Sequence, residues 1–208
     1  MNTEQLPADY APHAVAGLPL LYGPRQGWCV WMTALPLPET ARFRDASALP
    51  PSKGYARDDR LAAPGEVLAC FENDDGSCDA PATSMIEAAL WLLAHDAAFY
   101  RTVRDTLLAD LPRLRAEQEG IALPDDAFLL PRQWDEGSMH KLLRLNTVTF
   151  HPVAGAAYIG LDFGCAWDAE HGYGMMMAGT EVVETGGADV GGLSWIAARH
   201  AAARQTGQ

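Results

Sequence analysis

From Ser84 to Leu108, apolar residues return every three or four positions. Ile86, Leu90, Leu93, Ala97 and Tyr100 make one stripe, which Val103, Leu107 and Leu108 continue. This spacing predicts an amphipathic helix. Ser84 followed by Glu87 reads as a capping box, each side chain satisfying an amide that the first turn leaves without a partner. The helix therefore starts at Thr83 or Ser84. Pro112 interrupts the pattern, because proline lacks the amide hydrogen and its ring collides with the preceding turn. A second helical piece runs from Pro112 to Glu119 and stops at Gly120. A helix with one apolar stripe is not stable alone in water and must cover another layer.

Strand patterns supply that layer. Leu145 to Phe150 alternates, with Leu145, Thr147 and Thr149 on one side and Asn146, Val148 and Phe150 on the other. Ala157 to Phe163 reads as the next strand, running on to Trp167. Tyr173–Met177 and Glu181–Thr185 follow, joined by the turn Ala178-Gly179-Thr180. Short connections force antiparallel neighbours. Upstream, Trp28–Met32 is a strand ended by Pro36 and Pro38, and Glu66–Phe71 is another, ended by the turn Asn73-Asp74-Asp75-Gly76. Pro50 to Arg60 reads as an exposed loop. The expected class is α+β, an antiparallel β-meander sheet packed by one long amphipathic helix. Residues 1–26 form an irregular lead-in, 27–193 a single domain, and 194–208 a short C-terminal helix and tail, with Ser194 to Ala203 helical.

Charge narrows the partners. With 15 basic against 27 acidic residues the chain carries a net charge of −12. Such a field repels phosphate backbones and anionic membrane surfaces, and attracts a basic protein or a cation. The longest apolar helix is broken by His95, Asp96 and Arg101, so no membrane span is expected. The first residues, Met1 to Gln5, show neither the basic nor the apolar region of a secretory signal, which predicts a cytoplasmic protein. Cys29, Cys70, Cys78 and Cys165 form no Cys-x-x-Cys pair and read as small core residues.

Several motifs fail on their spacing. Placing Gly76 at the glycine of a calcium loop puts Phe71 and Ala82 at ligand positions that need oxygen, so Asn73–Gly76 is a solvated turn. Gly186-Gly187 and Gly191-Gly192 have no phosphate-loop spacing and read as a turn with several positive-φ positions. Ser138 and Ser194 lack the nucleophile elbow. Neither zinc-protease histidine motif occurs, and His95 and His140 read as helix-face residues. No catalytic residue and no cofactor is assigned.

The segment Trp167-Asp-Ala-Glu-His-Gly-Tyr-Gly174 is richer. Asp168, Glu170 and His171 are ligand-competent side chains within four positions of a turn between strands. In a regular strand Glu170 and His171 would face opposite sides, but Gly172 and Gly174 favour irregular geometry that can bring them together. In the structural reading Asp168 caps turn amides, His171 bonds a carboxylate or carbonyl, and Trp167 anchors the turn to the core. In the functional reading the tip binds a partner or a metal, or performs acid–base work. His151 and Asp189 would contribute if the strands bring them near.

At this motif the chain resembles the DUF6985 family, a bacterial family without established chemistry. The resemblance rests on Ala157-Tyr158-Ile159-Gly160-Leu161, on Cys165 to Gly174, and on Val182-Val183 and Gly186-Gly187-Ala188-Asp189. It is specific over Leu145–Val190 and looser in layout back to Trp28. Ala169 stands where the family commonly has an acidic residue, and Tyr173 where leucine is common. The first departure removes an oxygen ligand and weakens a metal reading. The resemblance implies small accessory or immunity proteins encoded beside bacterial toxins. Two expectations result. The first is a non-enzymatic protein-binding module, an immunity protein neutralising a basic toxin, with Trp167, Asp168, Glu170, His171, Gly172, Gly174 and Asp189 as its contact or structural motif. The alternative is a metal-assisted or acid–base enzyme using Asp168, Glu170 and His171.

Overall fold

The computed structural model describes residues 10–24, 29–50, 61–118 and 130–207. Eight strands form one sheet in chain order. They are β1 (Tyr10–His13), β2 (Leu21–Pro24), β3 (Val30–Pro36), β4 (Glu66–Glu72), β5 (Leu143–Phe150), β6 (Tyr158–Cys165), β7 (Tyr173–Ala178) and β8 (Glu181–Gly186). The helices are α1 (Arg42–Asp45), α2 (Thr83–Gln118), α3 (Glu136–Leu142) and α4 (Ser194–Thr206). The class is α+β with a mostly antiparallel sheet. Among the described residues its one parallel pair is β4–β5. That pair departs from an antiparallel order because the long connection through α2 and α3 returns the chain to the end where β4 began.

β1 and β2 lie inside the expected irregular lead-in. Short strands containing Pro12, Gly23 and Pro24 look like turns, and only their pairing with each other, and of β2 with β3, gives them extended partners. α1 and α3 are too short to show a helical period. Trp28, the loop residues 51–60 and the helix stop at Glu119–Gly120 fall outside the described residues.

The helix α2 begins at Thr83 as expected, but its buried face is turned. Met85, Ala88, Ala89, Leu92, Phe99, Tyr100, Val103, Leu107, Leu111 and Leu114 are buried. Of the five residues expected to form its first stripe, only Tyr100 is fully buried, while Leu90 and Ala97 are exposed. Ala88 and Ala89 signal little hydrophobicity, yet their small size lets the helix approach the sheet. The helix also bends at His95, whose φ of −124° and ψ of 16° are not helical. The bend accompanies a long-range cap, in which the Asp96 carboxylate accepts the amides of Glu39 at 2.8 Å and Thr40 at 3.0 Å, just before α1. Pro112 does not end the helix, which runs to Gln118. Proline withdraws the donor that the Leu108 carbonyl would use. The Trp134 indole N–H reaches that carbonyl at 3.4 Å instead.

In β5 the simple alternation also fails. Its ladder to β6 shifts register between Leu145 and Thr147. The bulge puts Leu143 and Leu145, then Val148 and Phe150, into the same core. The opposite face of β6–β7, with Tyr158, Met176 and Ala178, packs under Ile196 and Ala197 of α4. Ion pairs of Arg199 with Glu184 and of Arg204 with Glu181 also tie α4 to β8. No described helix is long and apolar enough to cross a membrane.

Cys29 and Cys78 are joined by a disulfide. This corrects the reading of all four cysteines as small core residues. A separation of 49 residues carries no motif, and only the sheet brings the two together. Cys70 and Cys165 are buried thiols. Burial pushes the Cys165 thiol up to about 12.

A charged cluster locks α1, α2 and α3 together. The Tyr100 hydroxyl donates to Glu136, which also pairs with Arg42 and, at 3.6 Å, with Arg104. The Tyr100 bond, with help from both arginines, holds the Glu136 carboxyl below its ordinary value. His140 lies buried with Nε2 3.8 Å from Glu136. Burial, aided by Arg42, lowers its pKa against the opposing pull of Glu136. A histidine depressed in the folded state costs stability when it must take a proton. Its contribution is complete above the unfolded value near 6.5 and is lost as pH falls from there toward the folded value. We expect the unfolding free energy from urea titrations to fall as pH drops below about 6.5, with a slope of at most about 1.4 kcal/mol per pH unit from this one proton. His140→Leu should flatten that stretch of the curve, and an unchanged slope would remove His140 from the account. Loss through Glu136 sets in only below pH 4.5.

Candidate functional site

The chain leaves β6 at Cys165 and re-enters the sheet at Tyr173. Trp167 at the start of this connection is buried, with ring centroids 5.7 Å from Trp134 and 6.4 Å from Tyr173. Asp168 then organises the turn. Its backbone carbonyl accepts the Gly172 amide at 2.9 Å, and Oδ1 accepts the His171 amide at 2.9 Å. The same carboxylate meets the ring Nδ1 of His171 at 3.1 Å. Gly172 has φ of +63°, which a side chain would strain. Each element of the structural reading is therefore present: cap, histidine–carboxylate bond and tryptophan anchor.

The same turn forms one wall of a cleft of about 710 Å³. Asp168, Glu170, His171 and Gly172 line it. The opposite walls come from the end of α2, through Arg113, Leu114 and Glu117, and from the 3-10 turn Ala188–Gly192, through Ala188 and Asp189. Asp189 thus joins the hairpin. His151 does not. It is buried beneath the 3-10 turn, with Nε2 3.0 Å from the Gly191 carbonyl.

Two close approaches hold the 3-10 turn against the sheet. A Cβ on Gly160 would lie 1.6 Å from the Gly191 carbonyl oxygen, and one on Gly174 would lie 2.2 Å from that of Gly187. None of Gly186, Gly187, Gly191 and Gly192 has a positive φ. That corrects the expectation for the glycine cluster. These residues serve close backbone packing, and the Ala188 amide completes the contact by donating to the His171 carbonyl at 2.8 Å.

Sequence patterns did not single out Arg113 or Glu117, and marked Tyr173 only as a strand residue that departs from the family pattern. Arg113 makes a paired contact with Asp110 and a further bond to Glu117. These carboxylates, Asp110 foremost, raise its pKa, so its charge is permanent. Asp110 also accepts the Tyr173 hydroxyl at 3.0 Å, and burial raises the tyrosine pKa. The i, i+3 and i, i+4 spacing of Asp110, Arg113 and Glu117 was a legible signal, but the break expected at Pro112 hid it. Four carboxylates, Glu117, Asp168, Glu170 and Asp189, line the cleft against one fixed cation that is already paired. Such a surface attracts cations and disfavours anions. Among the described residues, no three His, Cys, Asp or Glu side chains group as metal ligands.

The fold and cleft define an α+β domain whose Trp167–Gly174 turn is capped by Asp168 and anchored by Trp167, and whose open face is acidic. The family model for DUF6985, a domain of unknown function, matches residues 64–193, and the chain belongs to that family. The match spans β4 to the 3-10 turn and so contains every cleft residue. No curated protein and no solved structure matches the chain.

Proposed function

We propose that this chain is a non-enzymatic protein-binding module of the immunity type, whose acidic cleft receives a basic segment of a toxin. The observation that carries the reading is the imbalance in the cleft, where Asp168, Glu170 and Asp189 stand beside one arginine that Asp110 and Glu117 already neutralise. The net charge of −12 extends the same sign over the whole chain and would speed encounter with a basic partner. A lysine or arginine entering the cleft would find the Asp168, Glu170 and Asp189 oxygens on two walls that close packing keeps in place.

The test is co-expression with the products of adjacent genes, scored as growth protection and as a complex on gel filtration. A Glu170→Lys, Asp189→Lys double variant should weaken such a complex about tenfold or more, with a matching loss of salt dependence. Absence of both protection and complex with every neighbour would reject the immunity reading. A complex indifferent to the double variant would move the contact away from the cleft.

One contact favours a second reading, acid–base chemistry at the same place. The Asp168 carboxylate lies 3.1 Å from Nδ1 of His171 and orients the ring, the pairing a histidine acid–base group would need. Under this reading His171→Gln abolishes the cellular effect while complex formation persists. Under the first, His171→Gln leaves protection intact.

A further inference from the structure

The two buried thiols differ from the Cys29–Cys78 pair in access. Cys70 and Cys165 are buried, whereas Cys29 and Cys78 are each only half-buried. Cys29 sits immediately before β3, and Cys78 sits in the connection that leads from β4 to α2. Cys29 also lies outside the stretch matched by the family, and Cys78 lies inside it. The bond therefore ties β3, in the N-terminal part of the sheet, to the segment that delivers the long helix. Local contacts also act within that segment, the Asn73 side chain on Ser77 and on the Asp79 carbonyl, and the Asp75 carboxylate on the Ser77 amide.

We propose that Cys29 and Cys78 form a redox-sensitive staple, closed by a disulfide donor and opened by a dithiol, that sets how firmly β3 is tied to the entry of α2. Closure proceeds by exchange. The thiolate of one cysteine attacks a donor disulfide, such as oxidised glutathione, and releases one donor thiol. The second cysteine, as thiolate, then attacks the mixed disulfide and expels the other donor thiol. Two electrons pass to the donor, and the two protons lost by the cysteines end on the two donor thiols. Burial withholds Cys70 and Cys165 from this exchange, so the response is confined to one pair. In a reducing compartment the staple opens and the loop before α2 loosens. In an oxidising one it closes.

The test uses the full chain equilibrated with oxidised glutathione or with dithiothreitol. After denaturation, alkylation should count two thiols in the oxidised sample and four in the reduced one, and peptide mapping should join Cys29 to Cys78. Reduction should lower the melting temperature by about 5–10 °C. It should also speed amide exchange over residues 73–82. Cys29→Ser should match the reduced protein and ignore reductant, with Cys78→Ala serving if that variant does not fold. Four thiols in the oxidised sample, a bond to Cys70 or Cys165, or equal melting temperatures in the two states would overturn the proposal.

Discussion

Gly160→Ala is expected to cost about 4 kcal/mol or more, enough to leave little soluble protein. The added methyl would sit 1.6 Å from the Gly191 carbonyl oxygen, and the atoms it meets are backbone, not the end of a flexible side chain. Relief would require the 3-10 turn to lift from β6, and with it the Asp189 wall of the cleft. The reverse change is similarly blocked, since a Cβ on Gly191 would lie 2.4 Å from the Leu161 carbonyl oxygen. Gly192 is the control, because a Cβ there meets nothing within 4 Å. Gly192→Ala should stay within about 0.5 kcal/mol of the parent. Soluble yield and urea midpoints measure both, and similar losses at positions 160 and 192 would contradict the close packing.

Trp167→Ala should cost about 3–5 kcal/mol, the range for truncating a buried aromatic side chain. The ring is 9% exposed and packs between Trp134 and Tyr173. Trp134 in turn serves the Leu108 carbonyl, which Pro112 leaves without an amide donor, so the loss should reach the end of α2 as well as the turn. His171→Ala, by contrast, removes a side chain that is 70% exposed and should cost within about 1 kcal/mol. Urea denaturation separates the two. Equal costs would mean that the turn is held by its polar bonds and not by its anchor.

These two positions mark where sequence reasoning succeeded and where it stopped. Trp167, Asp168, His171 and Gly172 lie within six positions, and their local bonds are those expected of a capped turn, because such contacts depend only on neighbours in the chain. The glycine cluster failed for the opposite reason. Gly160 and Gly191 are 31 positions apart in number, and their fit exists only when the 3-10 turn lies across β6. The buried face of α2 was misplaced because Ala88 and Ala89 are chosen for small size against a sheet, which hydrophobic periodicity does not weigh. The disulfide was missed because Cys29 and Cys78 meet only through β3–β4 pairing.

By itself the sequence determined the class of the fold, the long helix, the four C-terminal strands and the family to which the turn belongs. All of these are written in local periodicity, turn chemistry and contiguous motif. The tertiary structure alone decided the parallel β4–β5 pair, the service of Trp134 to Pro112, and the union of Glu117, Glu170 and Asp189 in one cleft. Those depend on contacts between distant segments, and they arise only once burial of the apolar face of α2 has brought those segments together.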